Sequence, residues 1–292
     1  MKILTPGRQD RYDRETRKES MMETVCSDLK ALYQEMDDLV SLLDPDRWRL
    51  ETPFDHWTVM DQVAHIALFD HEALMAIEEP IRFRERAQRI MDIIRSEVHW
   101  PEQLNLFLGL DDPDRLLARW RDTRTRLLGR LQVMTPGDRL SWYGPDMTAR
   151  SFATARLMET WAHGQDIFDT FRIRRINGAS LKHVAHLGVT TFAWSFRIRG
   201  LIAPEVRPRV ELSGPLGERW EWGEPHGENR VWGDAAEFCL VVTQRRNVAD
   251  TRLNFQGEHA GQWLSIAQAF AGISQEPPGP GIRTIDYNQS PE

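Results

Sequence analysis

The chain has 292 residues, of which 41% are hydrophobic and 28% are charged, and these proportions exclude a disordered or fibrous protein for most of its length. A chain of this length favours two domains over one. Its formal net charge of −7, without a stripe of Lys or Arg, argues against a nucleic-acid partner, because phosphate binding needs a local excess of cations.

The cysteines and the N-terminus indicate a cytoplasmic protein. Only two cysteines occur, Cys26 and Cys239, which are too few for a disulfide framework and fit a reducing compartment. The charged N-terminus has no apolar stretch of signal-peptide length, and no run of about 18 apolar residues follows it. We therefore expect a cytoplasmic protein with no membrane partner. Lys occurs only at positions 2, 18, 30 and 182, a bias towards Arg that suggests a GC-rich genome, and we expect a bacterial protein.

The N-terminal part of the chain predicts a leader followed by helices. Residues 1–21 are polar and largely aperiodic, so we expect a disordered leader there. Apolar residues then recur every three or four positions over 23–43, which predicts a first helix. Thr58 and Asp61 form a capping-box signature that opens a second helix through about Glu79. Further apolar periodicity predicts helices at 83–94, 116–131 and 148–170.

The C-terminal part has a mixed character, so the predicted fold class is α+β. The segments predicted there are a helix at 181–198, strands at 210–212 and 220–222, a helix at 234–246, an extended run at 251–255 and a helix at 258–270. We divide the chain into a helical bundle at 22–176, an α+β domain at 177–272 and a flexible tail at 273–292.

The helix at 148–170 places a carboxylate and an imidazole on an apolar face. Phe152, Glu159, His163 and Ile167 lie in one row, because residues four apart stack on a helix. Buried polar groups need partners, and a metal ion is one partner for both. His65, on another helix, is the best candidate for a third ligand. The same spacing is also common in surface Glu–His pairs and in hydrogen-bonded core histidines.

Two histidines and one carboxylate suit a borderline divalent metal and leave positions open for water or substrate. Other chemistry lacks its usual signatures: the sequence has no phosphate-binding glycine loop, no Cys-x-x-Cys and no Gly-x-Ser-x-Gly. Nucleotide use and serine hydrolysis are therefore not indicated.

Four stretches of the sequence carry a family pattern. They are WTVMDQVAHIA (57–67), SFATARLMETWAHGQDI (151–167), KHVAHLGV (182–189) and DAAEFCLVVTQRR (234–246). Together they resemble the DinB-like metal-binding proteins, specifically the subgroup related to mycothiol-dependent maleylpyruvate isomerase. The resemblance extends over roughly residues 22–272.

The resemblance implies a DinB-like four-helix bundle followed by a smaller α/β, sterol-carrier-like C-terminal domain. It also implies that His65, Glu159 and His163 bind a divalent metal, with zinc as the family expectation. The implied activity is that of a metal-dependent enzyme that activates a low-molecular-weight thiol (mycothiol, bacillithiol or glutathione). Isomerisation, addition or S-transfer on a small electrophilic substrate would follow. The expected partner is a small molecule, and a homodimer is left open.

Further expectations concern the residues around the metal. The resemblance implies an anion-binding arginine from the C-terminal domain, for which Arg245 and Arg246 are equal candidates. Trp142 and Tyr143 precede the metal-bearing helix and are candidates for a cofactor-pocket rim. Two other functions stay open: a non-haem iron enzyme using the same triad, and a non-catalytic ligand-binding protein in which the ion only staples the bundle.

Overall fold

A computed structural model describes residues 6–95, 109 and 112–288 of the chain. Its helical part is followed by a small sheet with further helices, which confirms the α+β class. The N-terminal helices are α1 (Pro6–Val40), α2 (Val59–Glu78), α3 (Pro80–Arg95), α4 (Pro113–Gln132) and α5 (Ala149–Thr170). An antiparallel pair of short strands, β1 (Arg139–Leu140) and β2 (Met147–Thr148), leads into α5.

The C-terminal part combines four short helices with a mixed sheet. The helices are α6 (Leu181–Thr190), α7 (Phe192–Arg197), α8 (Ala235–Val242) and α9 (Glu258–Ile266). The strands are β3 (Arg209–Ser213), β4 (Arg219–Trp222), β5 (Arg230–Asp234) and β6 (Asn254–Gln256). In the order β4-β3-β5-β6, the central pair β3–β5 is parallel and the two outer pairs are antiparallel.

The chain forms two compact units, each made of discontinuous segments. The first comprises Met1–Ser41 and Ala67–Leu157, and the second comprises Leu42–Ile66 and Met158–Glu292. Helices α2 and α5 thus contribute residues to both units. The domain limits predicted from the sequence, at 22–176 and 177–272, remain a prediction.

The first unit is organised around a buried carboxylate. Asp70 is fully buried and accepts hydrogen bonds from Tyr33 Oη at 2.7 Å, Trp120 Nε1 at 2.9 Å and Arg156 Nε at 3.0 Å. A charge buried without such partners would be strongly destabilising. Asp70 therefore ties α1, α4 and α5 to α2.

The second unit packs its helices closely over the sheet. Val210, Leu212 and Val231 face inward from β3 and β5, and α8 packs against both strands. Helices α6 and α8 approach so closely that a Cβ at Gly188 would lie 2.6 Å from Val242 Cγ2. A glycine is therefore required at this crossing. No helix among the described residues is long and apolar enough to cross a membrane.

The structure differs from the sequence prediction at the N-terminus. Residues 1–5 of the predicted leader lie outside the described residues, but from Pro6 the backbone is helical. Proline is favoured at the first helical position, and residues 8–21 contain no later glycine or proline to interrupt the helix. The prediction of disorder relied on missing apolar periodicity, which reports on burial rather than on helix propensity.

The structure also differs in the tail. Residues 273–288 form no regular helix or strand, yet Arg283 is buried and donates to the carbonyl of Gln244 and to Asp55 Oδ1, each at 2.8 Å. Tyr287 Oη donates to Asp169 at 2.8 Å. The described part of the tail is thus packed within the second unit, because its polar side chains find buried partners. Residues 289–292 lie outside the described part.

Candidate metal centre

Three side chains able to bind a metal converge in the second unit. His65 lies on α2, and Glu159 and His163 lie one turn apart on α5. Glu159 Oε2 is 3.4 Å from His163 Nε2 and 3.8 Å from His65 Nε2, and one ligand atom from each residue lies within 4.8 Å of the other two. Metal bonds of about 2.0 to 2.2 Å place neighbouring ligand atoms roughly 3.4 Å apart. One ion therefore fits among these atoms.

The three side chains are shielded to different degrees. The side chain of His163 is 5% exposed, whereas His65 and Glu159 are 15% and 20% exposed. A structural zinc site is usually closed by four protein ligands, while a catalytic site keeps a position for water or substrate. Three donors with a partly accessible side fit the open kind of site.

The protonation states of the cluster also suit a metal. Burial would raise the pKa of Glu159, but the adjacent His163 and His65 outweigh it, and the pKa of this carboxyl falls well below its ordinary value. Burial, with His65 as a second cause, lowers the pKa of His163 well below its ordinary value. At neutral pH the carboxylate is therefore charged and the His163 ring is neutral, which are the forms that bind metals.

Aromatic rings cover the buried side of the cluster. Trp57 stacks on His163 with ring centroids 5.8 Å apart, and its ring lies 5.3 Å from that of His65. Phe54 meets His163 edge-on at 5.9 Å. The intervening residues Asp55 and His56 have φ values of 46° and 61°, a left-handed turn that brings both rings to the same imidazole. The rings keep water from this side of His163.

Gln62 contacts the second nitrogen of His163. Its Oε1 lies 2.5 Å from His163 Nδ1, and because a carbonyl oxygen only accepts, Nδ1 donates and Nε2 keeps its lone pair. Gln62 Nε2 donates in turn to Thr52 Oγ1 at 2.8 Å. Gln62 is fully buried. The neutral His163 therefore presents Nε2, unprotonated, to the cluster.

Comparison with known proteins identifies the family. The sequence model described as "Mycothiol maleylpyruvate isomerase N-terminal domain" matches residues 29–168. Two uncharacterized proteins of Mycobacterium tuberculosis, from strains CDC 1551 / Oshkosh and ATCC 25618 / H37Rv, are each 40% identical over 255 residues, covering 87% of this chain and 96% of the relative. The chain belongs to the mycothiol maleylpyruvate isomerase family. The predicted resemblance is thus confirmed.

Two solved structures are similar to the chain at low sequence identity. The crystal structure of mycothiol-dependent maleylpyruvate isomerase gives a TM-score of 0.48 at 16% identity and covers 75% of this chain and 88% of that one. A crystal structure of a histidine-to-alanine mutant of that isomerase gives the same TM-score and coverage at 17% identity.

The two arginines expected to bind an anion in this isomerase family point to different partners. Arg245 and Arg246 are both buried and diverge after Gln244, whose φ is 59°. Arg245 pairs with Asp166 at 2.7 Å, and its Nη2 lies 3.5 Å from His163 Nδ1. Arg246 pairs with Asp169 at 2.8 Å. Arg245 is therefore the one of the two that contacts a member of the cluster, and a substrate contact by either stays a prediction.

Trp142 and Tyr143 lie in an aromatic cluster of the first unit. Trp142 stacks on Phe83 with nearly parallel rings 5.6 Å apart and meets Phe152 edge-on at 4.8 Å. Tyr143 Oη donates to the buried Glu72 at 3.3 Å. These contacts give both residues a packing role, and their predicted place at a cofactor pocket stays a prediction.

Local sequence patterns do not indicate Gln62 or the Asp166–Arg245 pair. Gln62 and His163 are 101 residues apart in the chain, so no local spacing connects them. The one available signal was a glutamine among the apolar residues Val59, Val63 and Ile66 of α2. Asp61 caps α2, as its capping-box spacing predicted, by accepting hydrogen bonds from the Thr58 backbone and hydroxyl.

Proposed function

We propose that this protein is a metal-dependent enzyme that activates a low-molecular-weight thiol for isomerisation, addition or S-transfer on a small electrophile. The observation that carries the proposal is the convergence of His65, Glu159 and His163 from two helices. Family membership supports the thiol, because the family model that matches residues 29–168 is named for a mycothiol isomerase. Bacillithiol and glutathione have the same reactive group and remain alternatives to mycothiol.

Zinc is the proposed metal. Two imidazoles and one carboxylate are a ligand set found in catalytic zinc sites, which keep a fourth position open for water or substrate. His65, Glu159 and His163 would hold the ion, and Gln62 would fix the ring of His163. When bound, the metal lowers the pKa of a thiol and brings it close to the electrophile.

The thiol must come from outside the chain. Burial raises the pKa of Cys26 to about 11 and that of Cys239 well above its ordinary value, so both thiols stay protonated at neutral pH. Reactivity requires the thiolate, and both side chains are buried. The chain's own cysteines are therefore unsuited to act as the nucleophile.

Several further roles belong to the same proposal. Arg245 is the better candidate of the two arginines for an electrostatic role at the site, because it reaches His163 and Arg246 is held by Asp169. Trp142 and Tyr143 are retained as candidates for a pocket rim. We propose a bacterial, cytoplasmic protein with a small-molecule substrate and no nucleic-acid or membrane partner, and we leave a homodimer open.

Elemental analysis of the purified protein tests the metal centre. We expect about one equivalent of zinc in the wild type and in His226→Ala, which removes an exposed histidine elsewhere in the second unit. His65→Ala and His163→Ala should lose it while keeping their circular dichroism spectra. Iron in place of zinc, with oxygen consumption, would favour the non-haem alternative. Unfolding on chelation would favour a structural ion.

Conjugation of thiols to monobromobimane tests the activity. The zinc-loaded protein should accelerate the reaction of at least one of mycothiol, bacillithiol and glutathione, and His163→Ala should not. The His226→Ala control should match the wild type. Equal rates with and without protein for all three thiols would contradict thiol activation even if zinc were bound.

A further inference from the structure

The ring of His163 has two possible hydrogen-bond acceptors behind it, one neutral and one charged. Gln62 Oε1 lies 2.5 Å from Nδ1, and Asp166 Oδ2 lies 3.8 Å from the same atom. Metal-binding histidines commonly donate this proton to a carboxylate, which makes the ring a stronger ligand. Here the carboxamide is within hydrogen-bond distance and the carboxylate is not.

Arg245 holds the carboxylate away from this position. Its Nε lies 3.2 Å from each oxygen of Asp166, and its Nη2 lies 2.7 Å from Oδ2. The guanidinium also donates to the Thr243 carbonyl at 2.8 Å and stacks over the Phe54 ring at 4.6 Å. Several contacts therefore fix the guanidinium, and Asp166 is engaged by a buried cation rather than by the imidazole.

Gln62 is fixed from its other end. Its Nε2 donates to Thr52 Oγ1, and both side chains are buried. A carboxamide held at its nitrogen by a hydroxyl presents its oxygen to the ring and cannot rotate without losing both bonds. The acceptor is thus oriented before any metal binds.

The choice of acceptor has an electrostatic consequence. Two neutral imidazoles, one carboxylate and a divalent cation leave one net positive charge. The paired charges of Asp166 and Arg245 do not change that sum. A carboxylate in place of the Gln62 carboxamide would cancel this net charge. Its repulsion of an anion bound to the metal several ångströms away would lower the affinity for that anion about tenfold or more, at an effective dielectric constant of about 20. The open position then favours an anionic ligand, as a thiolate is.

We infer that Gln62 is a positioning residue that fixes His163 through a neutral hydrogen bond and thereby keeps the metal centre cationic and selective for an anionic ligand. This inference rests on the metal centre proposed above and adds what its open position prefers to bind. Arg245 acts in the same arrangement by withholding the carboxylate of Asp166.

Cobalt(II) substitution with thiocyanate as the anionic probe tests the inference without measuring activity. Three proteins are compared by visible absorption: the wild type, Gln62→Met, which keeps the side-chain length but removes the acceptor, and Gln62→Glu. Asp61→Asn is the matched control, because Asp61 is adjacent in sequence but caps α2. Circular dichroism establishes that each variant is folded.

The expected results separate the two variants. Gln62→Met should bind cobalt about 10 to 100 times more weakly, as for loss of an outer hydrogen bond to a metal ligand. Gln62→Glu should bind cobalt at least as tightly as the wild type but bind thiocyanate about tenfold or more weakly. Asp61→Asn should match the wild type in both measurements.

The outcomes distinguish this inference from the proposed function. A wild type that binds neither cobalt nor zinc would overturn the metal centre itself. If the wild type binds cobalt, two results would overturn only the role of Gln62. One is an unchanged cobalt affinity in folded Gln62→Met, and the other is an unchanged thiocyanate affinity in Gln62→Glu.

Discussion

Arg245 and Asp166 form a buried ion pair beside the candidate metal centre, with Nη2 2.7 Å from Oδ2 and both side chains 4% exposed or less. The pair connects the turn after α8 to α5, the helix that carries Glu159 and His163. Each charge of such a pair compensates the other, because a single unpaired charge in the protein interior is strongly destabilising.

Arg245→Met should therefore be strongly destabilising. Removing one partner of a buried pair leaves an uncompensated charge and costs about 3 to 5 kcal/mol in the free energy of unfolding. Urea unfolding at neutral pH measures the loss. Arg197→Ala, which removes an exposed arginine at the end of α7, should change it by less than about 0.5 kcal/mol. The double variant Arg245→Met/Asp166→Leu should regain part of the lost stability, and a loss equal to the sum of the single variants would argue against the pair.

Asp61→Asn should weaken α2 without affecting metal content. Asp61 Oδ2 accepts a hydrogen bond from the Thr58 backbone nitrogen at 2.8 Å, and Thr58 Oγ1 accepts from the Asp61 nitrogen at 3.2 Å. Disturbing such a reciprocal cap costs about 0.5 to 2 kcal/mol. Thermal unfolding and elemental analysis on the same sample measure both quantities. Loss of metal from the folded variant would show instead that Asp61 supports His65.

Local patterns in the sequence predicted the helices that bury one face. The capping-box pattern of Thr58 and Asp61 predicted the start of α2. The apolar rows predicted α2, α4 and α5 close to their observed bounds. The row of Glu159 and His163 likewise gave two candidate ligands that the structure brings together, because the four-residue spacing is a property of the helix itself. His65 was the best candidate for a third ligand, and the family resemblance made it an expected one, since no local rule pairs residues on separate helices.

Sequence patterns mispredicted the elements whose ends are determined by side-chain hydrogen bonds or by pairing with neighbouring strands. The predicted helix at 181–198 is divided at Thr191, whose hydroxyl donates to the carbonyls of Leu187 and Gly188 and competes with the helical bonds. The helix predicted at 234–246 ends at Val242, and the φ of 59° at Gln244 follows. Strand β5 was missed because its five residues are defined by pairing with β3 and β6 rather than by alternation.

Arg283→Ala should loosen the tail and the loop before α2. The guanidinium donates to the Gln244 carbonyl and to Asp55, and it stacks over the Phe54 ring at 4.7 Å. Because Asp55 is exposed, its removal leaves no buried carboxylate, and the expected cost is about 1 to 3 kcal/mol. Limited proteolysis should cut residues 273–288 faster in the variant. Arg252→Ala, which removes an arginine whose side chain is 89% exposed, should leave the cleavage rate unchanged, and equal rates in all three proteins would contradict a packed tail.

His71 should make the protein less stable as the pH falls from 6.5 to about 4. Burial, with Arg119 and Arg86 nearby, lowers the pKa of His71 from 6.5 to about 4. Between these pH values the unfolded chain binds a proton at His71 that the folded protein does not bind, so unfolding is favoured. Below about pH 4 both states are protonated, and His71 causes no further loss of stability. Because the ring is only partly buried, the loss should be about 2 kcal/mol rather than the full value of the shift.

The variant His71→Gln isolates this contribution. Both proteins lose stability in acid as carboxylates protonate, but only the wild type carries the histidine, so the difference between their free energies of unfolding should change by about 2 kcal/mol between pH 7.5 and pH 4.5. Urea unfolding at several pH values gives that difference directly. Parallel curves for the two proteins would mean that His71 has the same pKa in the folded and the unfolded protein. Its position beside two arginines argues against that result, because a positive neighbour disfavours the protonated ring.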